Sequence, residues 1–533
     1  MSAGSTNVDK GRGCAAAHVR TLSLRVFVIC AVVFVAWGAW SCSSSAPEPT
    51  GTSDVNSPSD TTQSTIPVTE STPSSTLPEA VSTMHVDVVV YGTQTSGIAA
   101  VREISQAAPN LRVALISSGN FLESPLAQGL CVEDTRNIDK IAGGMYAEWR
   151  ASVVSYYQQR GLKSFTPSGR FAYQPQVANQ LLWSYLRGPT AKNVQFISGS
   201  LVAASDSGAK PWVEVRVKGS GLVRLDTNYL VDASTEADLA RLLGASYRVG
   251  RAEDLYNDRT GPTPSFPGPT NGWATAPQRF SALLTLKLYP KGNAPRIADL
   301  KNPDYDPTSY GSLPPLSQKN VTAFKTGWSL TLAKLPESER ELNETWTDYA
   351  DVGLAFQWVF SPASRATIFR QVLDTTINQV RYLQEHGYPN IGIANLPQTL
   401  YVREGPRIQG LSTYTQSDIL SGTSSETVAV GCYAQYDRHD IWPPIQIDTT
   451  RYVYVPMGAL MAQGHPWLLV STAVSTDFRA YSSAIRMEPT RANLGGAAGA
   501  IIAVAHRLGL APAQAPYPQV RAQLLAQGHK LPQ

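Results

Sequence analysis

The sequence predicts an α/β fold, and three stretches carry that expectation. Val86-Asp87-Val88-Val89-Val90-Tyr91 is a β-branched run suited to a buried parallel strand, and the turn Gly92-Thr93-Gln94-Thr95-Ser96-Gly97 leads from it into the small-residue helix Ile98–Ile104. A second strand, Leu111 to Ser117, follows at once, which completes a βαβ unit. Far downstream, Ser364 to His386 carries apolar residues at Ile368, Val372, Leu373, Ile377, Val380 and Leu383, one face of a helix stopped by Gly387. Between them, residues 246–360 are rich in Pro, Gly, Tyr and Trp with few periodic runs, so loops and short elements are expected there. The βαβ unit also has a chemical meaning. Its helix N-terminus offers backbone N–H groups to a dinucleotide pyrophosphate, its first glycine permits the tight turn, and its last lets helix and strand pack closely. A glycine turn in any doubly wound sheet looks similar, so the turn alone leaves a purely structural unit open.

The 533 residues are 43% hydrophobic and 16% charged, enough for a core but long for one domain, so two or three units or one interrupted domain are expected. The net charge is +3, and Lys10, Arg12, Arg20 and Arg25 against Asp9 account for it within residues 1–41. The neutral remainder lacks the basic surplus that phosphate contacts need, which argues against nucleic acid as a partner. The basic segment precedes an apolar run from Val26 to Trp40, and Gly38, Ala39 and Ser41 lead to Cys42. Such a run is a signal-peptide core rather than a span of about 20 residues. Cys42 resembles the lipidated cysteine of bacterial lipoproteins; an uncleaved N-terminal anchor is the alternative, and both put the body outside the cytoplasmic membrane. Of residues 43–83, 26 are Ser, Thr or Pro, which reads as a flexible tether.

The likeness then widens. The opening resembles the FAD-dependent oxidoreductase family, whose nucleotide turn reads Gly-Gly-Thr-Pro-Ala-Gly after a Val-rich strand ending in Tyr. Gly129-Leu130-Cys131-Val132-Glu133-Asp134 is similar to that family's Gly-Leu-Gly-Val-Thr-Asp, Ile141–Met145 to the start of its next helix, and Tyr173–Ala178 to a further helix start. Tyr229–Leu239, with Asp232-Ala233-Ser234-Thr235, is similar to its Asp-Ala-Thr turn, and Ala484–Thr490 leading into Leu494–Gly499 resembles its flavin-facing helix. The resemblance implies a Rossmann-like FAD-binding domain of discontinuous segments with an inserted mixed α+β substrate domain. It implies a pyrophosphate at Gly92, Thr93, Gln94, Thr95, Ser96 and Gly97, an adenosine near Ser117, and contacts from Ser234 and Arg486. The ring is expected under a helix starting near Gly495, with Gly496, Ala497 and Ala498.

Four departures bear on that site. Gln94 stands where a small residue usually lets backbone approach the pyrophosphate, and Ser117 where an acidic residue usually holds the ribose hydroxyls. Glu123-Ser124-Pro125 replaces the expected Gly-Gly-Met, and Ser471-Thr472 an expected Gly-Arg.

A second constellation follows the long helix. Tyr401–Ile408 resembles the family's Arg-Glu-x-x-Arg-Ile strand, Gly431 to His439 its strand and loop over the flavin, and Tyr452–Pro456 the return. Arg403 and Arg407, four apart, share a face of a strand, so both can address one anionic group such as the flavin pyrimidine edge; the alternative is that each is paired with Glu404 or another carboxylate. His439 is a candidate acid/base because histidine titrates near neutrality; an exposed loop histidine is the other reading. Cys131 and Cys432 are compatible with a disulfide, a redox pair, a covalent flavin link or two independent buried thiols. No His/Cys/Asp/Glu spacing points to a metal.

These readings divide the chain into a signal peptide with a candidate lipobox (1–42), a linker (43–84), an FAD-binding domain in two parts (85–245 and 461–520), a substrate or cap domain (246–460) and a tail (521–533). Function reads as an exported, membrane-tethered oxidoreductase passing hydride from a polar organic substrate to FAD, the catalytic candidates being Arg403, Arg407 and His439. The alternative is a non-catalytic binding lipoprotein on a decayed flavoenzyme scaffold. The sequence is silent on the electron acceptor.

Overall fold

The computed structural model describes residues 81–208, 210–251, 277–289, 294–297, 305–308, 334–343, 352–422, 424–439 and 445–533. The apolar leader, Cys42 and nearly all of the linker lie outside the described residues. Strands β1 (Val81–His85) and β2 (Val88–Tyr91), helix α1 (Thr95–Ala107) and strand β3 (Val113–Ser117) open the fold. Helices α2 (Ile138–Ile141), α3 (Gly144–Gln158) and α4 (Pro175–Arg187) lead to β4 (Val194–Ser205), β5 (Trp212–Val217), β6 (Gly221–Asp226) and β7 (Tyr229–Asp232). Then come α5 (Asp238–Leu242), β8 (Tyr247–Arg248), β9 (Leu284–Leu288), β10 (Glu339–Leu342), α6 (Val352–Phe360), α7 (Arg365–Glu385) and β11 (Ile391–Asn395). The last third holds β12 (Arg407–Ile408), α8 (Gln416–Ser421), the hairpin β13 (Thr427–Arg438) and β14 (Ile445–Pro456), β15 (Leu468–Val470), α9 (Phe478–Tyr481), α10 (Glu488–Leu508) and α11 (Tyr517–Ala526).

Eight strands form one sheet in the order β1-β6-β5-β4-β3-β2-β7-β15. From β4 to β15 every neighbouring pair is parallel, while β5 runs antiparallel to both β4 and β6. The α/β expectation therefore holds, with a parallel-dominated sheet. Strand alternation explains why β2 is apolar on both faces: Val88 and Val90 enter one core with Ile98, Trp149 and Leu494, whereas Val89 and Tyr91 enter another with Val213, Leu239 and Leu468. Each such side chain stabilises the fold by about 1.5–3 kcal/mol.

Helix α10 lies directly on α1. A Cβ on Gly495 would fall 1.9 Å from the Ser96 carbonyl oxygen, and one on Gly499 would fall 2.6 Å from Glu103 Cβ. In the middle of the chain, β9 pairs with β10 and β11, and Val380 of α7 packs on this small sheet beside Leu284, Leu342 and Ile391. The hairpin β13–β14, although inside 246–460, puts Val428, Ala429, Val453 and Val455 into the same core as α1 and α10. No helix among the described residues is long and apolar enough to cross a membrane.

Three expectations are corrected. Residues 401–408 are not one strand: Tyr401 makes a single bridge to Ser281, and Arg407 and Ile408 pair with Arg248 and Tyr247. Pro406 has no N–H to donate, and Gly405 lies so close to the Thr235 carbonyl that a Cβ would come within 1.8 Å of its oxygen. Arg403 and Arg407 therefore do not share a strand face. Residues 521–533, expected as a tail, pack on the body: Leu524 is fully buried and His529 Nε2 lies 3.0 Å from Glu103 Oε1. Finally, α10 begins at Glu488, with Pro489 in its first turn, so Gly495 is inside the helix rather than at its start.

Candidate functional site

The nucleotide turn has the geometry its glycines require. Gly92 has φ +98°, and a Cβ there would meet the Ser234 backbone nitrogen at 2.7 Å; a Cβ on Gly97 would lie 2.1 Å from the Gly92 carbonyl oxygen. Helix α1 starts after Gln94 without a side-chain cap, and the backbone N–H groups of Thr95, Ser96 and Gly97 have no acceptor among the described residues. Such unmet donors make a helix start an anion site. Gln94 is buried as well, and its Oε1 has no partner.

Of these residues, Gln94 and Ser234 line a cavity of about 730 Å³ at the carboxyl ends of β2, β3 and β7, where ligands of open α/β sheets bind. Its lining includes Tyr91, Gln94, Ser118, Phe121, Glu123 and Ser234 from the sheet side and Trp358, Arg365, Phe369 and Val402 from the middle of the chain. Ser117 is not in that lining. It is fully buried, its hydroxyl donating to the Phe121 carbonyl at 2.9 Å and accepting from Thr93 Oγ1 at 3.2 Å. Glu123, half-buried, lines the cavity instead: its carboxylate accepts from Thr93 N–H at 2.8 Å and Ser118 Oγ at 2.6 Å.

At the β7 end, Asp232 accepts from the Ser234 N–H and hydroxyl and from the Ala240 N–H, at 2.9, 2.6 and 2.8 Å, and burial pushes its carboxyl up to about 7. Ser234 is thus oriented by Asp232, while its oxygen accepts from Asp238 N–H. Arg365 grips Asp238 through two bonds of 2.6 and 2.8 Å, and Trp358 Nε1 donates to Glu236 at 2.6 Å. Burial raises the Glu236 carboxyl from its ordinary value.

A second, dry layer holds the remaining candidates. Asp437 receives Arg486, and His439 Nε2 lies 3.3 Å from its other oxygen. Tyr433 donates to Asp134 at 2.9 Å, and Arg486 Nη1 reaches Tyr401 Oη at 3.3 Å. Arg403 covers the Tyr401 ring and donates to Ser281 Oγ at 2.9 Å. Arg403, Arg486 and His439 therefore converge around Tyr401 and Asp437. Arg407 lies apart from them: with Arg438 it holds Glu404 at 2.6 and 2.5 Å, all three side chains having no solvent exposure. Glu488 pairs with Arg491 and receives the Thr95 hydroxyl, and burial raises its carboxyl.

The four residues expected under the ring have packing partners instead. Gly495 abuts Ser96, Gly496 abuts His529, and Ala497 and Ala498 are fully buried in the core. Both Cys131 and Cys432 are free buried thiols, so they form no disulfide. Sequence reading missed Glu236, Trp358, Arg365, Glu488 and Arg491, and it noted Glu123 only as a departure from the family's Gly-Gly-Met.

The pattern characteristic of the FAD dependent oxidoreductases matches residues 87–524. The chain belongs to the FAD dependent oxidoreductase family. No relative among curated proteins matches it. Solved structures similar in part include L-proline dehydrogenase from P. horikoshii, 18% identical over 29% of this chain and 24% of that one with a TM-score of 0.19. Others are p-nitrophenol 4-monooxygenase from Pseudomonas putida (11% identity, 39% and 49% coverage, TM-score 0.23) and bacillithiol disulfide reductase from Bacillus cereus (12%, 28% and 40%, TM-score 0.20). The chain thus spans between 24% and 49% of the length of these structures.

FAD is the cofactor of this family, and the cleft fits it. Three N–H groups at the start of α1, without acceptors among the described residues, suit a pyrophosphate. The cavity falls within the size range of cofactor pockets. Its arginines are already engaged, Arg365 with Asp238 and Arg241 with the Glu236 and Val359 carbonyls, so phosphate charge would rest on the α1 N-terminus.

Proposed function

We propose that the protein is an exported, membrane-tethered oxidoreductase that takes hydride from a polar organic substrate. The observation that carries the reading is the uncapped α1 start, whose first three N–H groups have no acceptor among the described residues and whose preceding residue, Gln94, lines a cavity at the carboxyl ends of the parallel strands. FAD bound there supplies a two-electron acceptor. His439 Nε2, steadied by Asp437 Oδ1 at 3.3 Å, receives the substrate proton, while Arg486 and Arg403 position the Tyr401 side of the site. The Pro- and aromatic-rich middle of the chain suits a polar or carbohydrate-like ligand. Export and tethering rest on the apolar run Val26–Trp40 followed by Cys42 and the Ser/Thr/Pro-rich linker.

A second reading, a binding lipoprotein without catalysis, is favoured by one observation: Arg407, Arg438, Arg486 and Arg491 all lie against carboxylates of the chain itself. Purifying the full chain from detergent-solubilised membranes and recording its visible spectrum separates the two. Flavin bands that bleach on anaerobic addition of a polar organic donor support the oxidoreductase; a protein that neither carries nor takes up FAD is the binding lipoprotein. Cys42→Ser should give unprocessed or released protein, and an unchanged mature mass in the membrane fraction removes lipidation.

A further inference from the structure

Dinucleotide sites of this type hold the ribose hydroxyls with an acidic residue at the end of the second strand of the βαβ unit. That position is Ser117, the last residue of β3, and its side chain is buried and engaged. The loop after β3 folds back on itself, however. Ser117 Oγ and Glu123 Oε2 both lie against the same atom, Thr93 Oγ1, at 3.2 and 3.3 Å, so the carboxylate of residue 123 stands beside the place the strand end has vacated. We propose that Glu123 is the ribose-binding carboxylate of this protein, relocated from the strand end to the loop that follows it; the proposal rests on the flavin reading above.

Three features support the assignment. Glu123 lines the cavity, whereas Ser117 does not. Its carboxylate is fixed by two backbone donors that have no other acceptor to choose, Thr93 N–H at 2.8 Å and Ser118 N–H at 3.2 Å. The other two donors are the hydroxyls of Thr93 and Ser118 at 3.3 and 2.6 Å, which can rotate away. Thr93 Oγ1 has Ser117 Oγ and the Phe121 carbonyl as alternative acceptors at 3.2 and 3.4 Å. A carboxylate offers about four lone-pair sites, so turning both hydroxyls aside opens two of them to a ribose diol. Gln94, buried on the same wall with an unpartnered Oε1, adds a second acceptor awaiting a donor. The substitution of Gly-Gly-Met by Glu123-Ser124-Pro125 and the loss of an acid at 117 are then one change rather than two: the acid has moved six positions along the chain.

The test uses the detergent-solubilised full chain stripped of flavin, with FAD binding followed by quenching of flavin fluorescence and ADP or 2′,3′-dideoxy-ADP as competitor. Charge-assisted hydrogen bonds to the diol predict that wild type binds ADP about tenfold to a hundredfold better than the dideoxy analogue. Glu123→Gln should weaken FAD by a similar factor and bring the two competitors within about twofold of each other, since a neutral amide makes ordinary hydrogen bonds. Glu123→Asp, which keeps the charge on a shorter stem, should retain part of the discrimination. Wild-type protein that binds FAD without telling the competitors apart overturns the assignment, whether or not Glu123→Gln folds. So does a Glu123→Gln variant that discriminates as wild type does. Wild-type protein that never takes up FAD removes the flavin reading itself, and the ribose assignment with it.

Discussion

The cleft at the strand ends and the charged layer behind it are both polar, yet they are built in opposite ways. At the cleft, the backbone donors of Thr95, Ser96 and Gly97, which follow the lining residue Gln94, have no acceptor among the described residues, and the cavity measures about 730 Å³. In the layer, Glu404 lies between Arg407 and Arg438 without solvent exposure, and Asp437 and Glu488 are occupied by Arg486 and Arg491. The backbone donors of the cleft are available to a ligand, whereas the paired carboxylates of the layer hold the protein together. Sequence alone offers Arg407 as a catalytic candidate or as a partner of Glu404, and the structure shows the pairing.

The comparison breaks most visibly at Gly97. Gly97→Leu should leave no flavin on the purified protein, because its Cβ would sit 2.1 Å from the Gly92 carbonyl oxygen and push α1 off β2. Retention of FAD with unchanged fluorescence would move the dinucleotide elsewhere. Glu404→Gln attacks the layer instead. It strips the counter-charge from two buried arginines and should cost about 3–5 kcal/mol in denaturant unfolding. FAD affinity of the folded fraction should stay near wild type, and a large loss of affinity without loss of stability would return Arg407 to the site.

A smaller effect tests the cleft floor. The Asp232 carboxyl, at about 7, lies above its ordinary value of 3.8, so the folded chain keeps a proton that the unfolded chain has released. Stability should therefore fall as pH climbs from about 4 to about 7, by about 1.4 kcal/mol per pH unit. Asp232→Asn should shift stability by a constant amount and abolish that part of the slope; an unaltered slope in thermal melts across this range would assign it to other groups. The smallest effect sharpens the ribose question. Ser117→Glu places a second carboxylate beside Glu123 in a fully buried position and should weaken FAD by about tenfold through like-charge repulsion and desolvation, where a strand-end acid in an empty site would tighten it.

What the sequence discloses is local. The βαβ opening and α7 are legible because their signals repeat every two or 3.6 residues, and the structure puts the helix expected at 364–386 at Arg365–Glu385. The site is legible only where a local motif makes it, at the turn 92–97. Trp358 meets Glu236 across 122 positions and Arg365 meets Asp238 across 127, separations no periodicity reports. Glu123 is hidden differently: it is near Ser117 in sequence, but only the fold-back of 118–122 shows which of the two reaches the cavity. Gly495-Gly496-Ala497-Ala498 is misread because small residues serve close helix contact as readily as ligand approach.

His529 adds a temporal consequence. It bonds Glu103 of α1 across 426 positions, and it sits where side chains on Gly144 and Gly496 would collide with it. During synthesis, the first helix of the nucleotide unit must therefore wait for nearly the whole globular body to emerge before its outer face is closed. Until then α1 exposes the acid Glu103 and the Ser96 backbone on which Gly495 of α10 will pack. Residue 529 thus completes the contact between α1 and α10, the two helices between which it packs.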